Sequence, residues 1–145
     1  MKRIVIVLWL FLFSGACLAA GEHMHHGDAM GDQRVSLGLS PEMKQHQLSN
    51  MRAHLEAIHS IIGLIAKKEF SKASEVAYSK LGLTEEMKQM CDMFGNEDFK
   101  KLGMAFHKSG DVLGEVLLKK NATQSLHALS NTMGYCVECH AAFRQ

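Results

Sequence analysis

Apolar side chains recur at alternating steps of three and four residues along this 145-residue chain, and that spacing constrains its fold more than any other feature. On a helix, such a spacing places the side chains on one face. No stretch shows the every-second-residue pattern of a half-buried strand. The pattern is clearest in the first stretch, which contains Leu48, Met51, Leu55, Ile58, Ile62 and Ile65. The sequence therefore predicts an all-α chain whose helices pack through these faces.

Capping residues and chain breaks set the expected helix boundaries. Ser40 is a favourable N-cap and Pro41 a favourable first helical residue, so the first helix should run from there to about Lys68. The remaining helices are expected over residues 70–93, with a break at Leu81-Gly82, and over residues 97–120 and 121–145. Their inward residues are expected to be Phe99, Leu102, Phe106, Leu113, Val116 and Leu117 on the third helix, and Leu126, Leu129, Met133 and Cys136 on the last.

The first 20 residues are typical of a secretory signal peptide. Met1-Lys2-Arg3 gives a basic start, residues 4–13 form an apolar run, and small residues follow as far as Ala20. The run is too short for a stable membrane span, and no later stretch is apolar over the roughly 20 residues that a membrane helix needs. We therefore expect export to the periplasm, removal of residues 1–20 and no membrane span.

Removal of the signal peptide also changes the charge balance. Two of the 16 basic residues leave, so 14 face 15 acidic residues, a net charge of −1 that gives no support to nucleic-acid binding. Residues 21–38 are rich in Gly, His, Met and Asp and lack apolar periodicity, which predicts a flexible leader before a single domain over residues 39–145.

The leader contains His23, His25 and His26. If cleavage follows Ala20, the free amine, two backbone amides and the His23 imidazole would offer a square-planar site to Cu(II) or Ni(II). The alternative is a tail that scavenges metal weakly and has no selected role.

Cysteine usage points to one chemical motif. Cys17 leaves with the signal peptide, and the odd number of cysteines that remain argues against a disulfide framework. The segment Cys136-Val137-Glu138-Cys139-His140 matches C-x-x-C-H, the pattern of covalent haem attachment. Two thiols three residues apart lie on one face of a helical turn, so each can form a thioether with one haem vinyl group while His140 reaches the iron. Cys91 is then left as an expected buried thiol.

Other sites also use C-x-x-C, but the surrounding sequence favours them less. A structural zinc site would need a second pair of ligands at matching spacing, which the sequence lacks. A thioredoxin-like redox centre would accompany a βαβ pattern, whereas the residues around this motif are helical. Nothing offers the paired acid and base groups of an enzyme, and haem alone does not specify a reaction, so we predict no enzymatic activity.

With these features in place, the chain resembles the class II c-type cytochromes, the cytochrome c′ group. The resemblance rests on the four-helix pattern over residues 40–145, the haem motif near the C-terminus, an inward Met on the first helix, and the ending Cys139-His140-Ala141-Ala142-Phe143-Arg144. The family typically ends C-H-x-x-aromatic-R, which Phe143 and Arg144 match. The resemblance implies an antiparallel four-helix bundle with one covalent haem c, His140 as proximal ligand and Arg144 close to the haem. Homodimers through the first two helices are common among similar proteins.

The sixth iron ligand decides between two functions. Met51 is the expected ligand because it lies on the inward face near the start of the first helix, although core filler is the ordinary role of such a Met. His54, one turn on, would give a bis-His iron, and Met43 is a more distant option. A Met ligand gives a closed electron carrier between periplasmic redox proteins, whereas an empty position gives a haem protein that binds nitric oxide or carbon monoxide. The sequence favours the electron carrier.

Overall fold

A computed structural model describes residues 31–145, and within them the chain is a mostly helical bundle. The helices are α1 (Pro41–Ala66), α2 (Phe70–Val76), α3 (Glu85–Asp92), α4 (Glu97–Leu118) and α5 (Ala122–Ala142). A π-helical turn, Ala77–Leu81, follows α2, and the two-residue strands β1 (Val35–Ser36) and β2 (Phe143–Arg144) lie before and after the helices. The prediction of an all-α bundle is confirmed. The expected signal peptide, the cysteine within it and the leader histidines lie outside the described residues.

The helices begin where the sequence predicts because polar side chains cap their first turns. Each cap accepts a hydrogen bond from a backbone N–H that has no partner within its own helix. The caps of α1, α3, α4 and α5 are Ser40, Thr84, Asn96 and Asn121. The second helical segment is interrupted near Leu81-Gly82, also as predicted. Among residues 31–145, no helix combines the length and apolarity that crossing a bilayer requires.

The hydrophobic core lies between α1, α2, the π-helical turn, α4 and α5. Its largest fully buried apolar side chains are Ile61, Leu81, Leu113 and Leu117. A buried hydrogen bond of 2.9 Å from Ser74 Oγ to the Gly114 carbonyl oxygen joins α2 to α4. The core therefore ties the middle of the chain to both of its long terminal helices.

The π-helical turn is held against α4 by polar contacts. His107 Nδ1 donates to the Leu81 carbonyl oxygen at 2.9 Å, and the backbone N–H of Leu83 donates to Asp111 Oδ2 at 3.3 Å. A Cβ atom at Gly110 would lie 2.5 Å from the same Leu81 oxygen. Glycine at position 110 therefore permits the backbone of α4 to approach the turn.

The buried face of α1 is rotated from the predicted one. Ile58 and Ile65 are buried as expected and Ile61 joins them, whereas Leu55 and Ile62 are 65% and 46% exposed. The prediction was wrong for those two residues and for Leu48, which is also exposed. The packing of α5 against α1 is less extensive than its packing against α4. One edge of the apolar face of α1 therefore remains uncovered.

The apolar face of α5 shows the same division. Leu129 is buried as predicted, but Leu126 and Met133 are 49% and 40% exposed, and Val137 beyond them is 71% exposed. Both helices therefore carry an apolar edge that the other helices do not cover. We call these the open edges: Leu48, Leu55 and Ile62 on α1, and Leu126, Met133 and Val137 on α5.

The two short strands pair in parallel, with Val35 opposite Phe143 and Ser36 opposite Arg144. The backbone N–H of Leu37 extends the pairing by donating to the Arg144 carbonyl oxygen at 3.0 Å. Gly38 then adopts φ +60°, a conformation that glycine reaches without strain, and the chain turns into α1. Regular structure thus begins before Ser40. The flexible leader was predicted to extend through residue 38, but Val35 and Ser36 within that range form a strand. Its partner comes from the opposite end of the chain, which local sequence does not reveal.

Candidate functional site

The residues of the C-x-x-C-H motif lie in the last turns of α5. Cys136 and Cys139 are half-buried, and His140 is exposed. The two sulfur atoms are separate thiols. Cys136 packs against the hydrophobic core, so the motif is fixed to the bundle on its Cys136 side and open to solvent at His140.

Burial changes the acidity of both thiols. It raises the pKa of Cys136 and raises that of Cys139 to about 11, where the neighbouring Cys136 and Glu138 contribute in the same direction. Both residues therefore remain protonated at neutral pH, because an uncompensated thiolate is disfavoured away from water.

A pocket of about 230 Å³ brings Met51 of α1 to the same place as Cys139 and His140 of α5. Its wall is completed by Leu48, Phe99, Phe143, Arg144, Gln145, Arg34 and Leu37. Gln145 Nε2 donates to Met51 Sδ at 3.7 Å. The structure therefore gathers Met51, Cys139, His140 and Arg144 in one pocket, and Cys136 is not part of its wall.

His54, the other candidate sixth ligand, lies elsewhere. Its ring centroid is 4.9 Å from that of Phe106 and 5.4 Å from that of His107, inside the bundle. Burial, with a smaller contribution from His107, lowers the pKa of His54 to about 4. Neither His54 nor Met43 belongs to the wall of the pocket around His140.

His107 is more buried than the sequence indicated. A lone His on a helix is usually a surface or boundary residue, as His59 and His127 are here, but His107 is only 5% exposed. Burial is the main cause of its lowered pKa, which its bond to Leu81 and the charge of Asp111 oppose. The available signal was the spacing of His107, Gly110 and Gly114, which places two residues without side chains on the same helical face.

Two larger clefts border α5 without including Cys136, Cys139 or His140. One, of about 630 Å³, lies between α4 and α5 beside Lys101, Tyr135 and Glu138. The other, of about 540 Å³, is lined by α5 residues that include Met133 and Val137. Neither is lined by a thiol or an imidazole, whereas the smaller pocket is lined by Cys139 and His140.

The remaining metal-ligating residues form no site of their own. Within residues 31–145, no group of three or more His, Cys, Asp and Glu side chains is arranged around a common point. Cys91 is buried, as predicted, and its Sγ would lie 3.2 Å from a Cβ atom at Gly103. Burial raises its pKa, so it behaves as a small apolar side chain.

The residues present fit a covalently attached haem in their chemistry. Two thiols and an imidazole lie on one helix, and Met51, whose side chain carries a thioether, lines the same pocket as Cys139 and His140. All of these groups are known to bind haem. The pocket of about 230 Å³ is smaller than a porphyrin, so its walls would have to move apart to admit one. No protein-family model, curated protein or solved structure matches this chain.

Proposed function

We propose that this protein is an exported class II c-type cytochrome with one haem c bonded to Cys136 and Cys139, His140 as proximal ligand and Met51 as sixth ligand. The observation that carries the proposal is that Met51, from the first helix, lines the same pocket as Cys139 and His140 from the last. The group would supply reversible one-electron chemistry. The proposed role is electron transfer between periplasmic redox proteins.

Covalent attachment needs two cysteines that are free to react. Cys136 and Cys139 form no disulfide bond in the structure. Each thiol would add across one haem vinyl group, with its sulfur bonding to one carbon of the double bond and its hydrogen to the other, so no oxidant would be needed. The three-residue spacing on α5 directs both sulfur atoms to one side of the helix, which is the arrangement that two vinyl groups on one haem edge require.

The contacts between helices support the antiparallel order that the resemblance implies. Phe99, near the start of α4, has its ring centroid 5.3 Å from that of Phe143, just after the end of α5. Near the middle of both helices, Thr132 Oγ1 donates to the Ser109 carbonyl oxygen at 3.3 Å. The start of α4 therefore lies beside the end of α5, and the middles of the two helices lie side by side, so these two helices run antiparallel.

The open edges offer apolar surface to a bulky cofactor. They contain six large exposed apolar side chains, three on each helix, and all of these except Val137 have the spacing that predicts burial. Burying apolar surface is worth roughly 25 cal/mol per Å², so a flat apolar group that covered both edges would stabilise the bundle. Arg144, which follows His140 and lines the pocket, is proposed to lie beside this group.

The sixth-ligand assignment follows from the positions of the two candidates. Met51 lines the same pocket as His140, whereas the His54 ring contacts Phe106 and His107. A bis-His iron would require His54 to leave those contacts. Met51 is therefore the proposed ligand, and a six-coordinate iron is suited to carrying electrons instead of binding gases.

To test covalent attachment, the full chain is produced in a bacterium with a cytochrome c maturation system. The molecular mass of the purified protein is then measured by mass spectrometry. The expected mass is that of the mature polypeptide plus one haem. In Cys136→Ala and Cys139→Ala, one thioether is lost and the haem spectrum in alkaline pyridine should shift accordingly. Cys91→Ala is the matched control and should match the unmodified protein. A colourless product with the bare polypeptide mass would refute the proposal.

A second measurement separates the electron carrier from a gas-binding haem protein. The reduced protein is mixed with carbon monoxide at neutral pH and its spectrum is followed. A six-coordinate iron should respond slowly or incompletely, because Met51 must leave first. A rapid, complete shift would replace electron transfer with nitric oxide or carbon monoxide binding as the proposed function.

A further inference from the structure

A segment before the first helix contacts the end of the last one at the proposed ligand His140. This segment, residues 34–37, is here called the clamp. Its strand β1 pairs with β2, and the Leu37 N–H donates to the Arg144 carbonyl oxygen at 3.0 Å. Arg34 Nη1 donates to the carbonyl oxygen of His140 at 3.3 Å. The clamp thus forms hydrogen bonds with the backbone of the last turn of α5 and with the backbone of β2.

The end of α5 has a physical need for such partners. The last carbonyl oxygens of a helix find no N–H within the helix, and its C-terminus carries partial negative charge. The Phe143 N–H satisfies the Cys139 carbonyl, and the Arg34 guanidinium supplies both a donor and a positive charge to the His140 carbonyl. The backbone of His140, whose imidazole is proposed to bind the iron, is therefore fixed by a residue that lies outside α5.

The clamp also forms part of the pocket wall. Arg34 and Leu37 line the pocket together with Met51 and His140. Beyond Leu37, the left-handed turn at Gly38 leads directly into α1, which carries Met51. One short stretch of backbone thus connects the helix of one proposed iron ligand to the end of the helix of the other.

We propose that the clamp positions His140 by fixing its backbone and limits the access of small molecules to the pocket beside Met51. This inference rests on the proposed function for what the pocket holds, but the clamping itself concerns only the polypeptide. Loss of the clamp should loosen residues 140–145 and ease the entry of an external ligand.

The test compares two substitutions at one position. Leu37→Pro removes the N–H that bonds to Arg144, and Ser36 before it is already extended, as a residue before proline prefers. Leu37→Ala keeps that N–H and is the matched control. Amide hydrogen exchange is measured by mass spectrometry on the purified mature chain. Exchange over residues 140–145 should be about three- to tenfold faster in Leu37→Pro, the effect of losing one such hydrogen bond.

A segment of the core provides the internal reference. Exchange over residues 107–117 should be the same in both variants, because this part of α4 packs into the hydrophobic core through Leu113 and Leu117. Equal exchange over residues 140–145 in Leu37→Pro and Leu37→Ala would overturn the positioning role. If Leu37→Pro does not fold, Arg34→Gln decides instead, with about threefold faster exchange expected over the same residues and an unchanged rate counting against the clamp.

Access to the pocket is tested on the haem-loaded protein. Carbon monoxide should bind to reduced Leu37→Pro at least about threefold faster than to reduced Leu37→Ala, in line with the loss of one hydrogen bond. Faster exchange with unchanged carbon monoxide binding would overturn the role in access and leave the positioning role standing. A chain that carries no haem would refute the proposed function, and the exchange measurement would still decide whether the clamp exists.

Discussion

The half-buried His54 and the buried His107, whose rings are in contact, should make the protein less stable in mild acid. Burial lowers the pKa of His54 from its usual 6.5 to about 4, and burial also lowers that of His107. In the unfolded chain both imidazoles take up protons as the pH falls through 6.5, whereas in the folded chain they resist protonation. Acid therefore favours the unfolded state, and the stability that is present above pH 6.5 is lost as the pH falls toward 4.

The magnitude follows from the width of that window. One pH unit within it changes the free energy of unfolding by about 1.4 kcal/mol for each such histidine. Between pH 6.5 and 5, His54 alone should therefore remove about 2 kcal/mol, and His107 acts in the same direction. Stopping at pH 5 keeps the measurement above the range in which Glu42 and Glu69, whose pKa values are lowered, take up protons. A loss of this size is a large part of the roughly 5–15 kcal/mol that stabilises an ordinary domain.

The assay is urea unfolding, followed by circular dichroism, at pH 7.5 and pH 5. His54→Gln removes the titrating group, so its loss of stability should be smaller than that of the unmodified chain by about 2 kcal/mol. His59→Gln, at an exposed position on the same helix, is the control and should lose as much as the unmodified chain. Equal losses in His54→Gln and the unmodified chain would show that His54 titrates normally and that its burial does not govern acid stability.

Two further substitutions test the pocket and the packing. Met51→Ala should make the reduced, haem-loaded protein bind carbon monoxide rapidly. Met43→Ala, at a residue outside the pocket, should bind carbon monoxide as the unmodified protein does. Unchanged carbon monoxide binding in Met51→Ala would exclude Met51 as the ligand. Gly110→Ala should lower the free energy of unfolding by about 1–3 kcal/mol in urea, because its Cβ would meet the Leu81 carbonyl oxygen at 2.5 Å. Gly63→Ala, with open space around it, should instead raise it by about 0.5–1 kcal/mol, and equal effects at the two sites would contradict the packing argument.

The features that could be predicted from the sequence are those set by neighbouring residues. Ser40 caps α1 because its hydroxyl satisfies an N–H three residues away, and Thr84 does the same for α3. The placement of Cys136, Cys139 and His140 on one helix likewise depends only on their spacing. Each of these features depends on no contact with the rest of the fold.

The features that could not be predicted depend on residues far apart in the chain. The β1 strand exists because its partner arrives from the opposite terminus. His107 is buried because the π-helical turn supplies an acceptor, the Leu81 carbonyl oxygen, that its own helix does not contain. The exposure of Leu55 shows the same limit, since spacing identifies an apolar face but not how much of it the neighbouring helices cover.

The open edges also bear on the order in which the chain folds. The linker between α4 and α5 consists of three residues, Lys119, Lys120 and Asn121, so these two helices can pack together early in folding. Packing α1 against α5 closes a loop of almost the whole domain, which costs more conformational entropy. We therefore expect the side between the first and last helices to be the last to close. Until then, the two motif thiols would remain accessible from solvent, and a haem attached as proposed would complete the interior when the first and last helices come together.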